Sequence, residues 1–142
     1  MLSLSSKYAI RTVLYLANNT DDSTKLGAKA LADELKIPQP FLAKILQQLA
    51  RNQVIGSTKG QKGGFFLLDE HRTANLLRIV EVIDGGDPFS ECVLGLPDCG
   101  TANPCPVHEQ ALVSKQHLLE VFKEKNIQEI SEQVAQNSLR LF

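Results

Sequence analysis

No apolar run in this sequence approaches the length needed to cross a bilayer, so nothing in it reads as a membrane span. The first residues, Met1 to Arg11, also lack the basic-then-apolar order of a secretory leader, because Lys7 and Arg11 interrupt the apolar positions. Both absences lead us to expect a cytoplasmic protein with no membrane partner. There is no internal repeat and no low-complexity tract. The residue sets of an enzyme are missing too, with no nucleophile–base pairing and no paired carboxylates in a plausible pocket. The stretch Gly60-Gln61-Lys62-Gly63-Gly64 is glycine-rich but leads into a strand pattern, whereas a phosphate loop opens a helix. The chain has 142 residues, 43 % hydrophobic and 22 % charged, enough for one globular core with an appendage.

Acidic residues are absent from Lys36 to Phe66, a stretch that carries five basic ones: Lys36, Lys44, Arg51, Lys59 and Lys62. From His71 onward ten acidic residues face six basic ones. The overall charge of −1 therefore hides a basic block within an acidic chain. A charge run is commonly just a solvated face. An acid-free stretch of this length on helix and hairpin patterns favours a polyanion-binding face instead.

The apolar spacing predicts a mainly helical fold with one small β-hairpin. Ser5 or Ser6 can cap a first helix to about Asn18, with Ala9, Ile10, Val13, Leu14, Leu16 and Ala17 as its buried stripe. A second helix covers about Gly27 to Leu35 and breaks at Pro38. Pro40 suits the first position of a third helix, with Gln39 as cap and Phe41, Leu42, Ile45, Leu46 and Leu49 apolar. Val54 to Thr58 and Phe65 to Leu68 read as two strands around a basic, glycine-rich tip. Thr73 can cap a fourth helix to about Asp84. Pro106 opens a long helix to about Lys125, and a short helix from about Gln128 to Leu139 follows. Residues 1–84 thus form a winged helix-turn-helix unit, 85–105 a cysteine-containing loop, and 106–142 the long and the final helix.

Such a unit suits duplex DNA. A helix fits the major groove, where each base pair shows its own donor and acceptor pattern. A glycine-rich tip lets the backbone approach phosphates. The candidate contacts on the third helix are Gln39, Pro40, Lys44 and Gln47, with Arg51 a phosphate candidate. On the wing they are Lys59, Gly60, Gln61, Lys62 and Gly63. Any one of the glutamines can equally be a plain surface residue, and Gly63-Gly64 a plain tight turn.

All three cysteines, Cys92, Cys99 and Cys105, fall in the loop, with His108 three residues past the last. In a cytoplasmic protein such thiols point to soft-metal ligation rather than structural disulfides. Three cysteines and a histidine suit zinc, although the paired cysteines of zinc ribbons are lacking. Gaps of six and five residues lean towards a cluster of several irons.

The segments Ser5-Ser6-Lys7-Tyr8-Ala9-Ile10-Arg11, Ile37-Pro38-Gln39-Pro40-Phe41-Leu42 and Lys59-Gly60-Gln61-Lys62-Gly63-Gly64-Phe65-Phe66-Leu67 resemble the Rrf-type family of bacterial transcription regulators. The resemblance spans nearly the whole chain. It implies a homodimer whose long helices, here about 106 to 125, cross between protomers and act as dimerisation helices. It implies an iron–sulfur cluster, 2Fe–2S or 4Fe–4S, held by Cys92, Cys99 and Cys105 with His108 completing the shell. It implies a repressor that binds a palindromic promoter site in double-stranded DNA and senses redox state, nitric oxide or iron–sulfur supply. Lys59 stands where family members place a wing arginine in the minor groove. The departures are the first cysteine gap, six where well-known members have five, and Ala43 in place of a base-reading glutamate. Ser6-Lys7-Tyr8 also offers no carboxylate ligand, which favours His108. The alternative reading is a zinc-stabilised winged-helix module that binds a protein.

Overall fold

The computed structural model of the chain describes residues 1–97, 100 and 102–142. Seven helices and one hairpin follow in the order α1 (Leu4–Asn19), α2 (Ala28–Leu35), α3 (Gln39–Arg51), β1 (Gly56–Thr58), β2 (Gly64–Phe66), α4 (Asp69–Arg72), α5 (Leu76–Asp84), α6 (His108–Glu124) and α7 (Ile127–Gln136). The mainly helical fold with a hairpin wing is the one expected from the sequence.

Helix α1 is the axis of the core. Its Ala9, Val13 and Leu16 are fully buried, and it packs against α3, α5 and α7. Ser3, not Ser5 or Ser6, caps it, accepting the Ser6 amide at 3.0 Å. Ser6 instead lies buried one turn in, where its hydroxyl donates to Asp84 at the end of α5 (2.7 Å). Ser3 donates to the same carboxylate at 2.6 Å.

The helix expected from a Thr73 cap to about Asp84 starts later, with a different cap, and a short helix the sequence did not announce, α4, precedes it. α4 ends at Thr73, and α5 starts afresh with Asn75 as its cap, accepting the Arg78 amide at 2.9 Å. Asn126 caps α7 in the same way, in a reciprocal box with Glu129. The two cap residues pair with each other across the fold. Around them Leu76 N–H donates to Lys125 O (3.0 Å) and Ile127 N–H to Ala74 O (2.9 Å).

Helix α6 differs from the rest. Lys115 is its one buried residue, while Leu112, Val113 and Val121 stand exposed. Besides the backbone bond at the helix end, Phe122 ties α6 to the body, its ring meeting buried Phe89 edge to face at 5.4 Å. An apolar helix flank left in water is unfavourable by about 25 cal/mol per Å².

Candidate nucleic-acid interface and cysteine loop

The helix-turn-helix is built by a tight reversal. α2 ends at Lys36, which takes the left-handed conformation (φ 53°), and Ile37 N–H reaches back to Ala32 O at 3.1 Å. Pro38 then starts α3, its carbonyl accepting the Phe41 and Leu42 amides. Leu35 and Ile37 are buried beneath the turn. Arg11 secures it from below, donating to Leu35 O at 2.7 Å and also to Leu141 O. The tail returns here as well, with Phe142 under the Lys36 ammonium.

Helix α3 has two faces. Leu42, Ile45, Leu46 and Leu49 are buried. Pro40, Lys44, Gln47 and Arg51 are exposed and, at 3.6 residues per turn, share an arc of roughly 60° opposite the buried stripe. Gln39 is exposed at the helix start, roughly 80° beyond that arc. Pro40 stands at the second helical position, one later than expected, because Pro38 rather than Gln39 precedes the helix. The structure thus brings Pro40, Lys44, Gln47 and Arg51 to one solvent-facing side, with Gln39 exposed off to one flank.

The wing pairs Gly56 with Phe66, Ser57 with Phe65 and Thr58 with Gly64. Its tip holds Lys59, Gly60, Gln61 and Lys62 exposed, with Gly63 half-buried. Glycine is needed here for two different reasons. Gly60 has φ +102°, open to glycine. Gly63 folds so close to the incoming strand that a Cβ would lie 2.4 Å from Thr58 O. Its amide closes the tip on Gly60 O at 3.0 Å.

Leu26 adds a third, one-residue strand to this sheet. It exchanges both backbone bonds with Phe65, at 3.0 and 2.8 Å. Thr20 adds a second tie, accepting the Leu67 amide at 3.1 Å while donating to Leu16 O at 2.6 Å. At the foot of the wing His71 Nδ1 accepts the Leu68 amide at 2.9 Å, and Lys25 covers the Phe66 ring. Leu26, Thr20, Lys25 and His71 carry no motif, and their roles depend on partners brought up by the fold.

Among the described residues the one ion pair is Arg72 with Asp69. Lys44, Arg51, Lys59 and Lys62 therefore present cations that no carboxylate neutralises, on α3 and the wing together. Such a surface attracts a polyanion and releases counterions on binding it.

The cysteine loop leaves α5 through Gly85 and Gly86. Asp87 shapes the next turn, its carboxylate accepting the Phe89 amide at 2.8 Å. Pro88 and Phe89 are buried, and the Met1 ammonium donates to Pro88 O at 3.2 Å. Cys92 is half-buried beside an open hollow of about 430 Å³ lined by Ser90, Gly95, Leu96 and Pro97. Cys105 and His108 adjoin at the start of α6, where the His108 amide donates to Cys105 O at 3.0 Å. Cys99 lies outside the described residues. Thiol sulfurs and an imidazole are the right donors for a soft metal or an iron–sulfur cluster. The described residues alone do not assemble three such donors into one cage.

The fold is a winged helix-turn-helix with a cationic face, and the comparisons place such a chain among regulators of transcription. The Rrf2 family, described as "Iron-dependent Transcriptional regulator", matches residues 2–133. A relative from Aquifex aeolicus (strain VF5), named as an HTH-type transcriptional regulator, is 32 % identical over 126 residues, covering 87 % of this chain and 86 % of its own. Among solved structures, the global cysteine regulator CymR (YrzC) of B. subtilis superposes with a TM-score of 0.72 at 17 % identity, covering 94 % of this chain and 97 % of its own. IscR of T. potens gives 0.73 at 16 % identity, covering 99 % and 92 %. This chain belongs to the Rrf2 family of transcriptional regulators, and the family is not one of enzymes.

Proposed function

We propose that the chain is a homodimeric repressor whose grip on a palindromic promoter site depends on an iron–sulfur cluster bound in the cysteine loop. The observation that carries this reading is positional. The loop holding the cysteines joins the helix-turn-helix unit (1–84) to α6, and its start is packed onto α6 through Phe89 and Phe122. In this reading Gln39, Pro40, Lys44 and Gln47 enter the major groove and Arg51 meets a phosphate. Lys59, Gly60, Gln61, Lys62 and Gly63 contact the adjacent backbone or minor groove.

Val113 and Val121, on one side of α6, pack against the same helix of a second copy, which removes their exposed apolar surface from water. Cys92, Cys99, Cys105 and His108 hold the cluster, in line with a family described as iron-dependent. When bound, the cluster supplies a centre that responds to redox state, nitric oxide or iron supply. The chain's own part is to fix how the loop lies on α6, and thereby how the two α3 helices are spaced.

Anaerobically purified protein is the test, with its absorbance spectrum taken alongside gel shifts on promoter fragments that include its own. The expected result is a coloured protein whose salt-sensitive DNA binding changes when the colour is bleached. Colourless protein with stoichiometric zinc and no binding to any fragment supports the protein-interaction module instead.

A further inference from the structure

Lys115 is the one buried residue of α6, only 8 % exposed. Its ammonium donates to Glu91 O at 2.8 Å. Among the described residues no carboxylate forms an ion pair with it. A buried cation without an anion is costly, and proteins normally place a counter-charge beside one. The carbonyl it holds is joined by a single peptide bond to Cys92. Seven residues further along α6, Phe122 holds Phe89, so the strand entering the loop is pinned to the helix at two places.

We infer that Lys115 is the positioning and charge-compensating residue of the cysteine site: its ammonium fixes the Glu91–Cys92 peptide and balances the negative charge that thiolate ligands gather there. The inference rests on the reading of the cysteines as ligands. Each thiolate adds a negative charge that the neutral imidazole of His108 does not offset. A divalent ion held by three thiolates is left with a net negative charge. The lysine answers that charge from the helix side, and it completes an environment in which the cation is no longer unpartnered.

The experiment titrates cobalt(II) into the reduced, metal-free full-length protein and follows thiolate-to-cobalt charge-transfer absorbance, with circular dichroism as a check on folding. Wild type is compared with K115R, K115Q and K115M. The glutamine retains a donor for Glu91 O but no charge, and the arginine retains both. K115Q and K115M are expected to bind cobalt about 10–100-fold more weakly, the usual effect of removing an outer-shell partner, and K115R within about threefold of wild type. K115Q binding like wild type would reduce the residue to a hydrogen-bond donor and overturn the charge role. Unfolding of K115Q and K115M, with K115R intact and binding no better than they do, would assign Lys115 to packing and overturn it as well. Wild type without charge-transfer absorbance would sink the cysteine-ligand reading itself. A wild-type signal with unchanged variants would sink only the lysine.

Discussion

Replacing Gly63 by alanine separates the wing's role from the stability of the body. The new Cβ would lie 2.4 Å from Thr58 O and 2.7 Å from the Lys59 carbonyl carbon, both backbone atoms. Neither can swing aside as a flexible side chain could, so the strain of holding the native tip is about 1–3 kcal/mol. The strands are three residues each, and none of the β1 residues is buried. So short a pairing, with no buried β1 side chain to hold it, is expected to yield at the tip while the core stays intact. The melting temperature should move by under about 4 °C. DNA binding should suffer more, because Lys59 and Lys62 leave their positions. Once neither lysine of either wing reaches a phosphate, the slope of log affinity against log salt should flatten by about 1.8 per protomer, about 3.6 for the dimer. Fluorescence anisotropy on a promoter duplex at four or five salt concentrations measures this. G27A is the control, since open space surrounds that position, its φ is −77° and it lies outside the proposed contacts. An unchanged affinity and salt slope in G63A would refute the placement of the wing on DNA.

Leu46→Ala, at a fully buried position of α3, should cost about 2–5 kcal/mol and lower the melting temperature by roughly 6–15 °C in thermal denaturation. Val113→Glu should leave the helix content unchanged but give monomers in sedimentation, with affinity for a palindromic duplex falling about a hundredfold. Unchanged dimers would remove that face of α6 from the interface. Asp21 accepts the Ser23 hydroxyl and the amides of Ser23 and Thr24, which hold its carboxyl below the usual range. The ordering it gives this turn is present above the ordinary carboxylate pKa and is lost as pH falls through the lowered one. An NMR titration should show the Ser23 and Thr24 amides shifting with the Asp21 midpoint, and D21N should abolish that shift.

Much of the fold was legible because it depends on local spacing. The stripe Leu42, Ile45, Leu46 and Leu49 predicts both α3 and its buried side, and the opposite arc follows from helical periodicity alone. The basic tip between two short apolar runs likewise announces the wing. The misreadings share a cause: each depends on a partner far along the chain. Ser6 is a plausible cap until Asp84, 78 residues away, claims its hydroxyl. Thr73 is as good a cap as Asn75 by composition, and the pairing of Asn75 with Asn126 settles where α5 begins. Leu26 has no strand periodicity, being a strand of one residue. Lys115 reads as an ordinary surface charge on a long helix until the loop folds over it.

The pairing of the two asparagine caps has a mechanical consequence. The start of α5 and the end of α6 are laced together by backbone bonds on both sides of that pair, so α6 cannot swing about its lower end as a loosely tethered arm would. A torque applied to α6 along its exposed length passes at this joint into α5. From there it reaches α1 and α3, the helices against which α5 lies. The exposed helix is thus a crank keyed to the same shaft as α3, so a turn of one is felt by the other although the two need not touch.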